Sequence, residues 1–124
     1  MGNFEVINTG GSKVGPYSLA IKAGNLLFIS GQVMDSGVEG IKNQTLTALG
    51  KIKKILEAAG AKVSDIVKTT IFLKKMTDFR EMNQVYKAFF EQNGVKEKFP
   101  ARTTIEAACP LPEGLIEIDA IAVL

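Results

Sequence analysis

Two segments of this chain carry apolar side chains at adjacent positions within what reads as extended structure. Leu26, Leu27, Phe28 and Ile29 follow one another without a break. Near the C-terminus, Ile116, Ile118, Ala120 and Ala122 alternate with Ile121 and Val123. Successive side chains of a strand point to opposite faces of its sheet. Both faces of such strands need cover, or one is left as a large sticky patch. The rest of the sequence supplies two amphipathic helices, enough for one sheet face. Further copies of the same chain are the economical cover for the other.

The order of elements follows from periodicity and turn chemistry. Phe4–Asn8 is a short apolar-rich strand. Leu19–Ala23 and Leu26–Ser30 flank Gly24-Asn25, the pattern of a hairpin. A glycine-rich loop, Asp35–Gly40, follows. Asn43–Ala59 has helical spacing in Leu46, Leu49, Ile52, Ile55, Leu56 and Ala59, with Lys51, Lys53, Lys54 and Glu57 on other faces. Asn43 is placed to be its N-cap and Gly60 its C′ residue. Ile66–Leu73 reads as a buried strand. Thr77-Asp78 precedes a second helix, Phe79–Gln92, with a stripe of Phe79, Met82, Tyr86, Phe89 and Phe90. Strands Ala101–Ala108 and Leu115–Val123 surround a turn marked by Pro110, Pro112 and Gly114. Strands, helix, strand, helix, strands make an α+β sandwich. The 124 residues contain no linker or repeat and fit one domain, 1–124.

Composition narrows the chemistry. Lys plus Arg number 15 and Asp plus Glu 13, a net charge of +2. That balance argues against nucleic acid and against an anionic membrane. No apolar run approaches the ~20 residues needed to cross a bilayer. Met1–Thr9 contains Glu5 and lacks the apolar core of a signal peptide, so a cytoplasmic location is the default expectation. The sequence has no histidine and one cysteine, Cys109. Ser-His-Asp and Cys-His catalysis, imidazole-ligated metals and Cys-based zinc sites are thereby excluded. Chemistry here has to run on carboxylates, hydroxyls, Arg, Lys, the backbone and water.

Few residues stand out for such chemistry. Gly10 and Gly15 have the glycine spacing of a phosphate loop, but Pro16-Tyr17 follows where Lys-Ser/Thr is required. A plain connection between strands explains them better. Lys51, Lys53 and Lys54 read as a solvated helix face. Only two of the 15 basic residues are arginines, Arg80 and Arg102. Arg80 lies among polar helix neighbours. Arg102 opens a strand, where an unpaired charge is costly. Its fork suits a ligand carboxylate, or equally an internal ion pair with Glu106 or Glu117. Glu117 and Asp119 share one strand face and are either an acid–base pair or a solvated edge. Cys109 reads as a small apolar packer.

The C-terminal stretches Phe99-Pro100-Ala101-Arg102-Thr103-Thr104-Ile105-Glu106 and Ile116-Glu117-Ile118-Asp119-Ala120-Ile121-Ala122-Val123 resemble the signature of the Rid family. These are the RidA or YjgF type proteins, the reactive intermediate/imine deaminases. Gly15-Pro16-Tyr17, Ser30-Gly31-Gln32, Glu57-Ala58-Ala59-Gly60, Asp65-Ile66-Val67-Lys68-Thr69-Thr70, and Asn83 with Tyr86, Ala88, Phe89 and Phe90 extend the likeness along nearly the whole chain.

The resemblance implies a chorismate-mutase-like two-layer sandwich, with a mixed sheet and two helices on one face, assembled as a homotrimer with clefts between subunits. It implies hydrolysis of 2-aminoacrylate and 2-aminocrotonate, through their imines, to 2-keto acids and ammonia, with no cofactor and no metal. By position, Arg102 matches the arginine that holds the substrate carboxylate and Glu117 the glutamate that positions the attacking water. Tyr17, Ser30, Gly31 and Asn83 match residues that line the cleft. Thr104 stands where some members carry a cysteine, and its hydroxyl can bond water without copying thiolate chemistry. Cys109-Pro110 departs from the usual turn, while the Arg102 to Glu117 spacing is kept. That these two residues meet is implied by the resemblance and not by strand spacing. The family also leaves open a ligand-binding regulatory trimer with little turnover, or an endoribonuclease or translation inhibitor.

Overall fold

The computed structural model describes residues 3–124. Six strands form one mixed sheet in the order β1-β2-β3-β6-β4-β5. Strands β1 (Phe4–Ile7), β2 (Ala20–Ala23) and β3 (Leu26–Gln32) make an antiparallel meander. Strand β6 (Ile116–Val123) inserts between β3 and β4 (Ile66–Leu73), antiparallel to both. Strand β5 (Ala101–Glu106) lies parallel to β4 at one edge. Parallel neighbours need a crossover. Helix α1 (Ile41–Ala58) connects β3 to β4 and helix α2 (Phe79–Gln92) connects β4 to β5. Both crossovers step the same way across the sheet, so right-handed connections put both helices on one face. Among the described residues no helix is long and apolar enough to cross a membrane.

The core fills the space between helices and sheet. Leu27, Ile29, Ile71, Leu73, Ile116, Ile118, Ala120 and Ala122 meet Leu49, Ile52, Ile55 and Leu56 of α1 and Met82, Phe89 and Phe90 of α2. The expected alternation along β6 holds: residues 116, 118, 120 and 122 are buried, and Glu117, Asp119, Ile121 and Val123 face the other way. On that open face Phe28 remains 42% exposed and Val123 38%. No second layer within the described residues covers it.

Two details of α1 depart from periodicity. The helix starts at Ile41 behind Gly40, whose φ of 83° only glycine adopts readily. Asn43 therefore sits inside the first turn, its Nδ2 donating to the Glu39 carbonyl at 3.0 Å. Leu46 is 52% exposed, while Gln44 and Thr45 are buried. Hydrogen bonding makes that burial tolerable. Gln44 Nε2 donates to the carbonyls of Val38 (3.1 Å) and Glu113 (3.0 Å), and its Oε1 accepts from Leu115 N at 2.7 Å. Gln44 thus ties α1 to the turn that launches β6. Phe79, expected in the α2 stripe, is also exposed. Strand β5 ends at Glu106 rather than Ala108, and β3 runs on to Gln32 through a bulge.

Candidate functional site

Register decides which face each candidate occupies. Thr69 of β4 lies beside Arg102 of β5, and Ile71 beside Thr104. Thr69 and Ile71 are buried on the helix side, so Arg102 and Thr104 face the helices. Arg102 joins Asn83, Tyr86, Lys87, Phe99 and Pro100 around a shallow depression at the sheet edge. Its guanidinium carbon sits 4.9 Å from the Tyr86 ring centroid and 5.7 Å from that of Phe79.

The internal ion pair considered for Arg102 does not form. The Glu106 carboxylate accepts from Met76 N at 2.7 Å instead. Glu117 lies on the opposite face of the sheet. Among the described residues the ion pair is Lys51–Asp35, at 2.8 Å, so Lys51 is not part of a merely solvated face. The Arg102 fork has no acidic partner among the described residues. Beside it, the buried Oδ1 of Asn83 has no hydrogen-bond partner among the described residues.

Glu117 belongs to a second depression, with Val14, Tyr17, Ser30, Gly31, Val33 and Pro110. The bulge between Ile29 and Gln32 shapes this end of β3. Gly31 lies hard against Glu117: a Cβ at position 31 would overlap the carboxylate, 2.7 Å from Cδ and 2.9 Å from Cγ. Ser30 Oγ donates to the Ser18 carbonyl at 2.6 Å, and the Tyr17 hydroxyl accepts from Val14 N at 3.3 Å. Burial pushes the Glu117 carboxyl above its ordinary value, and the charge of Asp119 pushes the same way. Asp119 itself accepts from Thr70 N at 3.1 Å.

The candidates therefore sort into two groups on opposite faces. Tyr17, Ser30, Gly31 and Glu117 come together in one depression; Asn83 and Arg102 come together in the other. Thr104 shares the Arg102 face but lines neither. Tyr86 emerges as more than a core residue. It is 4% exposed, its hydroxyl lies 2.8 Å from Thr69 Oγ1, and its ring backs Arg102. Burial raises its phenol pKa, opposed less strongly by Thr69 and Arg102, so the hydroxyl stays neutral. Helical periodicity marks Tyr86 as buried but carries no sign of what its ring touches.

These features define a class: a two-layer α+β protein whose candidate site residues sit at a sheet edge and on an open sheet face. The family model described as endoribonuclease L-PSP matches residues 11–124. A RutC family protein of Pyrococcus horikoshii is 47% identical over 115 residues, covering 88% of this chain and 87% of that one. The 2-iminobutanoate/2-iminopropanoate deaminase of Escherichia coli K12 is 41% identical over 115 residues, covering 89% and 88%. The crystal structure of E. coli TdcF with bound serine superposes with a TM-score of 0.89 at 31% identity, covering 97% of this chain and 98% of that one. The chain belongs to this family, the YjgF/RidA family.

Proposed function

We propose that the protein hydrolyses small 2-imino acids, formed from enamines such as 2-aminoacrylate and 2-aminocrotonate, to 2-keto acids and ammonia. The observation that carries this reading is an arginine fork without an acidic partner among the described residues, with a half-buried carboxylate on the other face of the sheet. Arg102 holds the substrate carboxylate through two parallel hydrogen bonds, which orients the adjacent imine carbon. Glu117 accepts a proton from water as its oxygen attacks that carbon. The nitrogen takes up protons and leaves as ammonia, and the oxygen remains as the keto group. No cofactor enters the scheme. Tyr17, Ser30 and Gly31 shape the water side, Asn83 the carboxylate side, and Thr104 offers a hydroxyl next to Arg102.

Two groups on opposite faces of one sheet cannot act on one molecule within one chain. In this reading the site is completed between copies, a homotrimer in which the open apolar face of each chain is covered and Arg102 of one copy meets Glu117 of another. The names of the relatives support the chemistry: one is an imine deaminase, and another holds serine, a small amino acid with a carboxylate. The family model's description points instead to ribonuclease activity. A net charge of +2 without a basic-aromatic stripe argues against it.

The test couples the protein to threonine dehydratase and follows 2-oxobutanoate. Arg102→Ala and Glu117→Gln should each be inactive alone. Unfolded and refolded together, they should regain activity in up to about a quarter of the sites, because random assembly pairs an intact arginine with an intact glutamate at that frequency. No acceleration by the wild type would reject the deaminase. Activity in the wild type with no recovery in the mixture would reject the shared site.

A further inference from the structure

Arg102 lies on an edge strand without an acidic partner among the described residues, yet its guanidinium has a defined seat. Phe79, the more distant of the two rings, is exposed. Tyr86, the nearer, is fixed at both ends. Its ring packs with Phe90 at a centroid distance of 4.6 Å, and its hydroxyl bonds Thr69 Oγ1 at 2.8 Å. Thr69 is 0% exposed and is the cross-strand partner of Arg102. A closed circuit results: from the Arg102 backbone across the ladder to Thr69, through the hydroxyl pair to Tyr86, and from its ring back to the guanidinium. The links come from β5, β4 and α2.

We propose that Thr69 and Tyr86 are positioning residues: their hydroxyl pair fixes the ring, and the ring fixes where Arg102 presents its fork. Cations are held over aromatic faces within about 6 Å. A neutral phenol does this through the face of its ring and leaves the guanidinium's donors free. A fork already held in place loses less conformational freedom when it closes on a carboxylate. Packing alone would let the ring tilt; the bond to a fully buried threonine on the neighbouring strand holds it in one orientation.

The binding consequence rests on the role proposed for Arg102, and the geometric part does not, so two readouts keep them apart. The first is the Nε–Hε resonance of Arg102, whose ring-current shift reports its place over Tyr86. The second is the Kd for 2-oxobutanoate, with KM and kcat from the coupled assay. Tyr86→Leu should remove the Tyr86 part of the ring-current shift and leave the smaller part from Phe79, weaken keto-acid binding about tenfold and raise KM while kcat stays within about threefold. Thr69→Val should move the shift partway and weaken binding by about two- to fivefold, Tyr86→Phe should behave like it, and Thr69→Ser should restore both. With Lys at position 102, Tyr86→Leu should weaken binding little further. Thr69→Val and Tyr86→Phe preserve core volume, so the test holds even where Tyr86→Leu does not fold. An unmoved Arg102 resonance in these variants, or equal losses with Arg and Lys at 102, would overturn the proposal. A wild type that binds no keto acid but shows the ring-dependent resonance would leave the positioning device standing and reject the deaminase reading instead.

Discussion

Gly31 shows how a missing side chain makes room for the candidate base, Glu117. The space its Cβ would fill holds the carboxylate end of Glu117. That end is flexible, so a methyl group there displaces the carboxylate and leaves the fold alone. Gly31→Ala should therefore melt within a few degrees of wild type yet lose about tenfold or more in kcat, read by calorimetry and the coupled assay. Unchanged turnover would separate the close approach from the chemistry. Glu117 also carries a pH signature. Its pKa is raised by burial first and by Asp119 second, and only the carboxylate can take a proton from water. Activity should rise with pH through a midpoint above the ordinary carboxyl value. A pH series of kcat/KM on the wild type reads that midpoint, and a rate flat with pH across the carboxyl range would reject Glu117 as the base.

At the level of elements, α1 is phased by what its ends must do. Gly40 starts the helix earlier than Asn43 would, and Gln44 turns inward to serve the backbone on either side of Gly114. That rotation leaves Leu46 in solvent and commits Leu49, with 0% exposure, to the sheet. Leu49→Ala should cost about 2–5 kcal/mol through lost burial and the cavity left behind. Leu46→Ala should fall within about 0.5 kcal/mol of wild type. Urea unfolding at one fixed protein concentration makes the comparison, since association adds to apparent stability. Equal costs would mean that α1 is rotated relative to the sheet.

The whole molecule is defined by its uncovered sheet face. Leu26, Phe28, Ile121 and Val123 form an apolar end, and Ser30, Lys68, Thr70, Glu117 and Asp119 bring polar groups to the same surface. A charge at the centre of the apolar end would oppose close contact between copies while leaving the helix side intact. If the proposed trimer forms, Phe28→Asp should lower the sedimenting mass from that of the trimer toward 13.4 kDa. Circular dichroism should stay native, while the proposed deaminase activity should disappear with the proposed shared site. A wild type that already sediments near 13.4 kDa would refute the assembly.

Local periodicity was enough to place most of the chain. The 2-residue period of β6, the unbroken run from Leu26 to Ile29 and the stripe of Met82, Tyr86, Phe89 and Phe90 are properties of neighbouring residues, and burial follows them. The same run announced a sheet with an uncovered face. The sequence also singled out Arg102, because an arginine opening a strand has to find a partner. What it could not contain was that partner's direction. Beside β4, Arg102 pairs with Thr69 and Glu117 with Phe72, and these registers send the two side chains to opposite faces. The ring behind Arg102 and the inward turn of Gln44 arise in the same way, from residues 16 and more than 60 positions away. Hydrophobic period says whether a side chain is buried. Which group it meets depends on strand register and helix rotation, and those are set by non-local contacts that exist only once the chain has closed on itself.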